Sequence, residues 1–157
     1  MKEILIKDII RECNASLIIG DENLKIENFS KDTREINEND CYIGIKGETF
    51  DGNLFYEEAF KKGASACILE KESVKDIDFR NYNNKTIILV DNSIKVLQEL
   101  AAYKRSLYDI PVIAVTGSVG KTSTKEIISS VLSTKYNVLK TEGNYNNHIG
   151  LPLTILK

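Results

Sequence analysis

The sequence contains few of the residues from which metal centres and disulfide frameworks are built. Its only histidine is His148, and its three cysteines, Cys13, Cys41 and Cys67, are odd in number and widely spaced. These residues have neither the spacing of a metal site nor that of a plausible disulfide framework. The pattern excludes a His-rich metal site and is typical of a protein that works in the reducing cytoplasm.

Long apolar runs and a strong excess of one charge are also missing. No apolar run is long enough to span a bilayer, and residues 1–8 carry scattered charges instead of the apolar core of a signal peptide. Lysine and arginine number 21 against 23 aspartates and glutamates, so the net charge is only −2. We therefore expect a cytoplasmic protein with no membrane insertion and no nucleic-acid partner.

Hydrophobic residues make up 42% of the 157 residues, which is enough to build the core of one ordinary domain or two small ones. Apolar runs bounded by turn residues predict strands at residues 16–19, 24–29, 41–45, 66–69 and 86–90. Helical spacing predicts helices at 5–13, at 54–62 with Asn53 as its cap, and from about 94 to 108 with Ser93 as its cap. Phe50 and Phe55 are expected in the core, with the lining of a ligand pocket as the lesser alternative for one of them.

The most informative stretch is residues 112–123. An apolar run at 112–115 predicts a strand, a loop with two glycines follows at 116–120, and a helical pattern begins at Lys121. Strand, glycine loop, Gly-Lys-Thr and helix is the order of a phosphate-binding loop. Val115 stands where the general pattern has its first glycine. The alternative interpretation is therefore a Gly-Lys-Thr that merely opens a helix.

The chemistry of such a loop gives each residue type a role. Gly117 and Gly120 would let backbone N–H groups turn towards phosphate oxygens, and the helix N-terminus would add a partial positive charge. Lys121 would reach the β- and γ-phosphates of ATP, and the Thr122 hydroxyl would hold Mg²⁺, which makes these two the candidate catalytic residues. The candidate nucleotide-binding residues are Gly117, Ser118, Val119, Gly120, Lys121, Thr122 and Ser123.

A domain boundary is predicted near residues 91–92. Residues 1–91 would form a small α/β domain, and residues 92–157 would begin a P-loop domain with a doubly wound parallel sheet, whose strands are predicted at 112–115 and 137–140. No aspartate or glutamate follows a later apolar strand to act as a Walker B acid, and so small a sheet leaves a face or an edge uncovered. We therefore expect the chain to be the front of a longer α/β protein whose P-loop domain is truncated here.

Three segments together resemble the Mur ligase family, which attaches amino acids to the peptidoglycan precursor. Residues 116–122 are similar to the ATP loop of that family, including its Thr-Gly opening. Residues 30–34 and 47–55 resemble its UDP-binding N-terminal domain, although Asn53 stands where the family often has histidine. Residues 141–154 are similar to the signature of the member that adds D-alanyl-D-alanine. The resemblance covers nearly the whole chain.

The resemblance implies an ATP-dependent, Mg²⁺-requiring amide ligase of cell-wall synthesis that activates a carboxylate as an acyl phosphate. Its substrates would be UDP-MurNAc-tripeptide and D-alanyl-D-alanine, and residues 1–91 would bind the UDP-substrate. The 157-residue chain alone is expected to be inactive, because the family's remaining metal ligands and C-terminal domain have no counterpart in it. The alternatives are another Mur ligase that adds an amino acid and a non-catalytic module that binds a nucleotide or UDP-sugar. A small P-loop kinase is disfavoured, because over a hundred residues precede the loop.

The resemblance also indicates substrate-binding residues in two segments. They are Thr33, Arg34, Lys46 and Gly47 in the first segment and Asn144, Asn146 and Asn147 in the second. An arginine fork suits a phosphate or carboxylate, and amides that follow a parallel strand face the crevice where such sheets bind ligands. Each set has a structural alternative, since Asp32 could simply pair with Arg34, and glycine and asparagine could simply shape turns.

Overall fold

The computed structural model describes residues 3–143 and 145–157 and contains two β-sheets flanked by helices. The strands are β1 (Ile4–Leu5), β2 (Ser16–Ile19), β3 (Lys25–Ile26), β4 (Phe29–Ser30), β5 (Cys41–Ile43), β6 (Ala66–Glu70) and β7 (Thr86–Val90). The helices are α1 (Ile6–Glu12), α2 (Tyr56–Lys61), α3 (Ser93–Ser106), α4 (Lys121–Leu132) and α5 (Gly150–Leu156). Short 3₁₀ turns cover Thr33–Glu35, Gly52–Phe55 and Lys71–Ser73.

The five-stranded sheet is the centre of the fold. Its strand order is β2-β7-β6-β5-β4, in which β4 to β7 are parallel and β2 runs antiparallel to β7 at one edge. Strands β6 and β7 pair along their whole length, from Ala66 opposite Thr86 to Glu70 opposite Val90. A parallel strand that is covered on both faces needs apolar residues at nearly every position, which explains the uninterrupted runs in these two strands.

Alternate residues of the strands supply two hydrophobic clusters, one on each face of this sheet. Ile43, Ile68 and Ile88 lie in one cluster together with residues of α1, α3 and α5. Tyr42 and Cys67 lie in the other cluster together with residues of α2. The two faces are therefore closed by helices, and the ends of the parallel strands are left to carry loops.

Most of the elements predicted before residue 110 are confirmed. Strands β2 and β7 have the predicted bounds, and α1, β5, β6 and α3 differ from theirs by one or two residues at an end. The single strand predicted at 24–29 is wrong, because β3 pairs with β1 in the small sheet whereas β4 pairs with β5 in the large one. The chain changes sheets between these strands, and a continuous strand-like pattern does not reveal such a change.

Both predicted helix caps are wrong. The Asp51 carboxylate, and not Asn53, begins the turn before α2 by accepting a hydrogen bond from the backbone N–H of Asn53 at 2.9 Å. Helix α3 is capped by Asn92, which accepts from the backbone N–H of Lys95 at 2.8 Å, so Ser93 is already helical. In each case a nearby aspartate or asparagine reaches a backbone N–H that the first turn leaves free.

The chain after α3 departs further from the predictions. Helix α4 begins at Lys121 as predicted, but the strands predicted at 112–115 and 137–140 are wrong, since the structure assigns no strand to them. Val112 and Ile113 are 67% and 58% exposed. A strand needs hydrogen-bonded neighbours, and within 3–143 and 145–157 no strand pairs with either segment. Helix α5 was not predicted, and Pro152 lies in its first turn, where proline is tolerated.

Helices α3 and α5 pack on each other and on the large sheet. Leu97 and Leu100 of α3 share a cluster with Leu153 and Leu156 of α5 and with the strand residues on that face. Helix α3 follows the boundary predicted at residues 91–92, which stays a prediction. Among the residues that the structure describes, no helix is long and apolar enough to cross a membrane.

Candidate nucleotide and substrate site

The loop that precedes α4 turns sharply at two glycines. Gly117 and Gly120 have φ angles of +151° and +80°, in the region that favours glycine, and α4 begins directly after Gly120. The backbone N–H of Thr124 donates to the Gly120 carbonyl at 2.9 Å and closes the first helical turn. The ammonium of Lys121 folds back over the loop and donates to the Gly117 carbonyl. The loop therefore turns sharply into a helix N-terminus with a lysine placed above it.

This loop is open to solvent. Residues 116–124 are all exposed, and Val119 at the tip is 91% exposed. The position of a Cβ on Gly120 would meet no atom within 4 Å, so a bound group could approach the backbone closely there. Exposed N–H groups at the start of a twelve-residue helix, with a cation beside them, fit the oxygens of a polyphosphate.

A second set of polar side chains lies at the carboxyl ends of the parallel strands. The segments after β4, β5, β6 and β7 meet at one edge of the sheet because the four strands run in the same direction. The predicted residues Thr33 and Arg34 follow β4, and Lys46 and Gly47 follow β5. The sheet therefore brings both parts of the first predicted substrate segment to the same edge.

Arg34 and Thr33 already have partners within the chain. The Arg34 guanidinium forms a forked pair with Asp32, with Nη2 at 2.5 Å from Oδ2 and Nε at 2.9 Å from Oδ1. Hydrogen bonds from Arg34 hold the pKa of the Asp32 carboxyl well below its usual range. The Thr33 hydroxyl donates to Glu58 Oε1 at 2.9 Å, which ties this turn to α2. The Asp32–Arg34 pair that was considered as the structural alternative is thus present, and the Arg34 side chain is still 82% exposed.

The loop that carries Lys46 and Gly47 is a tight turn held by a polar network. The Gly47 N–H donates to the Phe50 carbonyl at 2.9 Å. Asp51 accepts from the Ser73 hydroxyl at 2.6 Å and from the Asn53 side-chain amide at 2.7 Å. Burial raises the pKa of Asp51, but the hydrogen bonds from Ser73 and Asn53 outweigh burial and lower that pKa below its ordinary value. The carboxylate therefore stays charged and fixes the loop.

Ser73 and the two phenylalanines of this region were not anticipated correctly. Ser73 was not singled out, although its position just after a buried strand at the ligand-binding edge was a usable signal. Phe50 and Phe55 are 63% and 42% exposed, so the prediction that they lie in the core is wrong. Their rings make an edge-to-face contact with centroids 6.2 Å apart, which leaves an exposed aromatic pair beside the Gly47 turn.

The asparagine segment, defined as residues 145–147, leads into α5. The Asn147 side-chain oxygen accepts from the backbone N–H of Gly150 at 2.7 Å and of Ile149 at 3.1 Å. Asn146 is exposed. The third predicted residue, Asn144, lies outside the described residues. Asn147 therefore shapes the start of α5, as the structural alternative for an asparagine turn expects.

The asparagine segment also meets the segment after β4. A cleft of about 120 Å³ is lined on one side by Phe29, Ser30, Lys31, Asp32 and Glu35 and on the other by Glu142, Tyr145, Leu153 and Lys157. The ammonium of Lys125, on α4, donates to the Thr141 carbonyl at the start of the second side. The chain thus connects the phosphate loop to this cleft through α4 and residue 141.

The three cysteines are buried and free. Burial raises the pKa of the Cys13 thiol to about 12. His148 contributes its backbone carbonyl to a hydrogen bond from Gln98 at 3.2 Å. These residues have structural positions and are not part of the cleft.

Two family models match the chain. The model of the Mur ligase family, catalytic domain, matches residues 25–105, and the model of the Mur ligase middle domain matches residues 115–157. The first alone spans more than half of the chain. The chain belongs to the Mur ligase family, and the resemblance inferred from its motifs is confirmed.

Two similar proteins carry the same name. The chain is 45% identical over 136 residues to the UDP-N-acetylmuramoyl-tripeptide–D-alanyl-D-alanine ligase of Bacillus subtilis (strain 168), a match covering 86% of this chain and 28% of that relative. It is 38% identical over 154 residues to the ligase of the same name from Synechocystis, a match covering 97% of this chain and 32% of that relative. The chain therefore spans about three tenths of the length of these curated relatives.

Solved structures confirm the mixed α/β fold class. The crystal structure of MurF from Acinetobacter baumannii superposes with a TM-score of 0.84 at 28% identity, covering 99% of this chain and 33% of that chain. MurF ligase from Thermotoga maritima in complex with ADP superposes with a TM-score of 0.67 at 39% identity, covering 83% of this chain and 29% of that chain.

Proposed function

We propose that this chain supplies the UDP-substrate-binding and phosphate-binding parts of an ATP-dependent ligase that joins D-alanyl-D-alanine to UDP-MurNAc-tripeptide. The observation that carries the proposal is the folded loop at Gly117–Lys121, connected through α4 to a cleft between the two predicted substrate segments. Relatives named for this reaction, at 38–45% identity over most of the chain, support the choice of substrates.

The chemistry explains what the loop has to do. A carboxylate is a poor electrophile, and ATP supplies the phosphoryl group that turns it into an acyl phosphate open to attack by an amine. Lys121 and the exposed N–H groups of residues 117–123 neutralise and orient the phosphate oxygens, and the Thr122 hydroxyl provides one oxygen ligand for Mg²⁺. The Thr122 hydroxyl and the loop are exposed, which leaves both groups room to approach.

The substrate side is assigned to the carboxyl edge of the large sheet. The cationic side chains of Arg34 and Lys46 bind the diphosphate of the UDP-substrate. Arg34 exchanges its Asp32 partner for phosphate oxygens. Thr33 and Gly47 shape the turns that present these cations. Asn146 and Asn147 offer uncharged amides to the sugar or peptide, and Asn144 is proposed with them from the sequence alone. We place the protein in the cytoplasm, where both nucleotide substrates are made and where its three free thiols stay reduced.

The test is phosphate release by the complete gene product. Release from ATP and Mg²⁺ is expected only when UDP-MurNAc-tripeptide and D-alanyl-D-alanine are both present. Replacing D-alanyl-D-alanine by single amino acids, and the tripeptide by shorter UDP-MurNAc peptides, separates this ligase from its sisters. Turnover that needs a single amino acid would assign the protein to another Mur ligase. Binding of ATP and UDP-substrate without any turnover would indicate a non-catalytic module.

A further inference from the structure

Lys104, on α3, is a buried cation outside the loops discussed above. It is only 4% exposed, and its ammonium donates to the carbonyl of Leu156, the last residue of α5, at 2.5 Å. Burial lowers the pKa of Lys104, and no carboxylate among the described residues offsets that effect. The clear partner of this lysine is thus a backbone carbonyl on a neighbouring helix.

A second hydrogen bond joins the same two parts of the chain. Gln98, six positions earlier on α3, donates from its side-chain amide to the His148 carbonyl at 3.2 Å. Between these two bonds, Leu153 and Leu156 of α5 share the hydrophobic cluster of α3. Residues 148–156 are therefore held against α3 at both ends and along one side.

This contact between residues 148–156 and α3, called the α5–α3 contact below, fixes the position of the asparagine segment. Residues 145–147 immediately precede α5, and Tyr145 and Leu153 line the cleft whose other side is Ser30–Asp32. The first side of the cleft follows β4 of the large sheet, and α5 contacts β4 directly as well as α3. The separation between the two sides is consequently set by the contacts of α5 with β4 and with α3.

We infer that Lys104 is a positioning residue, which holds α5 on α3 so that the asparagine segment and residues 30–34 contact the same UDP-linked substrate. The inference rests on the proposed function. It assigns no contact between Lys104 and substrate, because the ammonium lies on the Leu156 carbonyl. Its effect reaches the cleft through the seven residues of α5.

Because the Lys104 ammonium is buried, one substitution can separate its effect on the position of α5 from its effect on the stability of the fold. Removing an ammonium from water is unfavourable, so an apolar side chain of similar length at this site keeps the packing and avoids that cost. Lys104→Met should therefore fold with a melting temperature close to that of the wild type. It loses the bond to Leu156, so the backbone amides of residues 145–156 should exchange with deuterium faster.

The test compares Lys104→Met with Lys95→Met in the complete gene product. Lys95 lies on the same helix, is 73% exposed and pairs with Glu99, so it is the matched control. We expect Lys104→Met to raise the KM for UDP-MurNAc-tripeptide about tenfold, since a bond from a charged donor is lost, and to leave the KM for ATP nearly unchanged. Lys104→Arg, which keeps a charged donor, should restore most of the loss. Lys95→Met should behave as the wild type.

Other results would overturn the inference. Unchanged KM values in Lys104→Met would show that the α5–α3 contact does not fix the positions of the two sides of the cleft. Equal losses of affinity for both substrates, together with a lower melting temperature, would show that the lysine is purely structural. If Lys104→Met does not fold, Gln98→Met tests the other end of the α5–α3 contact at an exposed position. An unchanged KM of Gln98→Met for the UDP-substrate contradicts the inference. Wild-type protein that turns over no UDP-MurNAc-tripeptide would instead refute the proposed function itself.

Discussion

Lys121 combines two features of a phosphate-binding lysine. It is the first residue of α4, directly after a glycine with positive φ, and its ammonium lies on the carbonyl of Gly117 at the other end of the loop. A bound phosphate would replace that carbonyl as its partner. Since the side chain is exposed and packs against no core residue, its removal should leave the fold intact.

Lys121→Ala in the complete gene product should therefore lower kcat by at least about a hundredfold, because a charge contact made in the transition state contributes roughly 3 kcal/mol or more. Steady-state phosphate release measures the change, and a melting curve confirms that the variant is folded. Lys135→Ala, at an exposed lysine just beyond α4, is the control and should keep normal activity. A folded Lys121→Ala enzyme with near wild-type turnover would remove the loop from the proposed mechanism.

Some residue positions could be predicted from the sequence and others could not. The start of α4 at Lys121 follows from local order, because glycine, lysine and threonine are adjacent in the chain. The partners of Thr33 and Asn53 lie 25 and 17 positions away, on Glu58 and Glu70, and no local pattern indicates them. The Asp32–Arg34 pair is local, so the sequence could indicate it. Whether Arg34 is only a structural partner of Asp32 or also a ligand contact depends on whether a ligand displaces Asp32.

Helix α5 is the element on which the asparagine segment depends. Its seven residues are too few to form a stable helix alone, so it needs the hydrogen bonds at its start and its contact with α3. Asn147 precedes the N-cap residue Ile149 and accepts from the backbone N–H groups of Ile149 and Gly150, which fixes the start of the helix. Asn146, next to it, is exposed and precedes the helix. The two neighbouring asparagines are thus expected to differ in role.

The pair Asn146→Ala and Asn147→Ala tests this difference. Asn147→Ala should lower the free energy of unfolding by about 1 kcal/mol, because its two hydrogen bonds to backbone N–H groups are lost, in addition to any effect on substrate. Asn146→Ala should leave the melting temperature unchanged and weaken UDP-MurNAc-tripeptide about tenfold to a hundredfold, with ATP affinity preserved. Calorimetric titrations and melting curves supply both quantities. If Asn146→Ala binds the UDP-substrate normally, the asparagine segment is scaffold and not a binding surface.

The elements of the sheet were easier to predict than those after it. Strands β6 and β7 are continuous apolar runs that their neighbours bury on both faces, so composition alone locates them. Residues 112–115 are also apolar, but Val112 and Ile113 are exposed and no described strand pairs with this segment. Strand formation depends on neighbours, and a sequence pattern reports only the tendency to form one.

At the scale of the whole molecule, the two proposed binding regions are built on different elements. The phosphate loop is carried by α4, whereas the cleft is built on β4 and on α5, which packs against α3. The bond from Lys125 to the Thr141 carbonyl connects them. The central claim is that each region takes its own ligand, the nucleotide at the loop and the UDP-linked substrate at the cleft and the sheet edge.

An amide-resolved NMR titration of the 17.7 kDa chain tests this claim most directly. ADP with Mg²⁺ should shift the amide signals of residues 117–123. UDP-MurNAc-tripeptide, added separately, should shift those of residues 30–34, 46–47 and 145–147 and leave 117–123 nearly unchanged. If the UDP-substrate shifts only the amides of residues 117–123, or if ADP leaves those amides unmoved, the assignment of two ligands to two regions is contradicted.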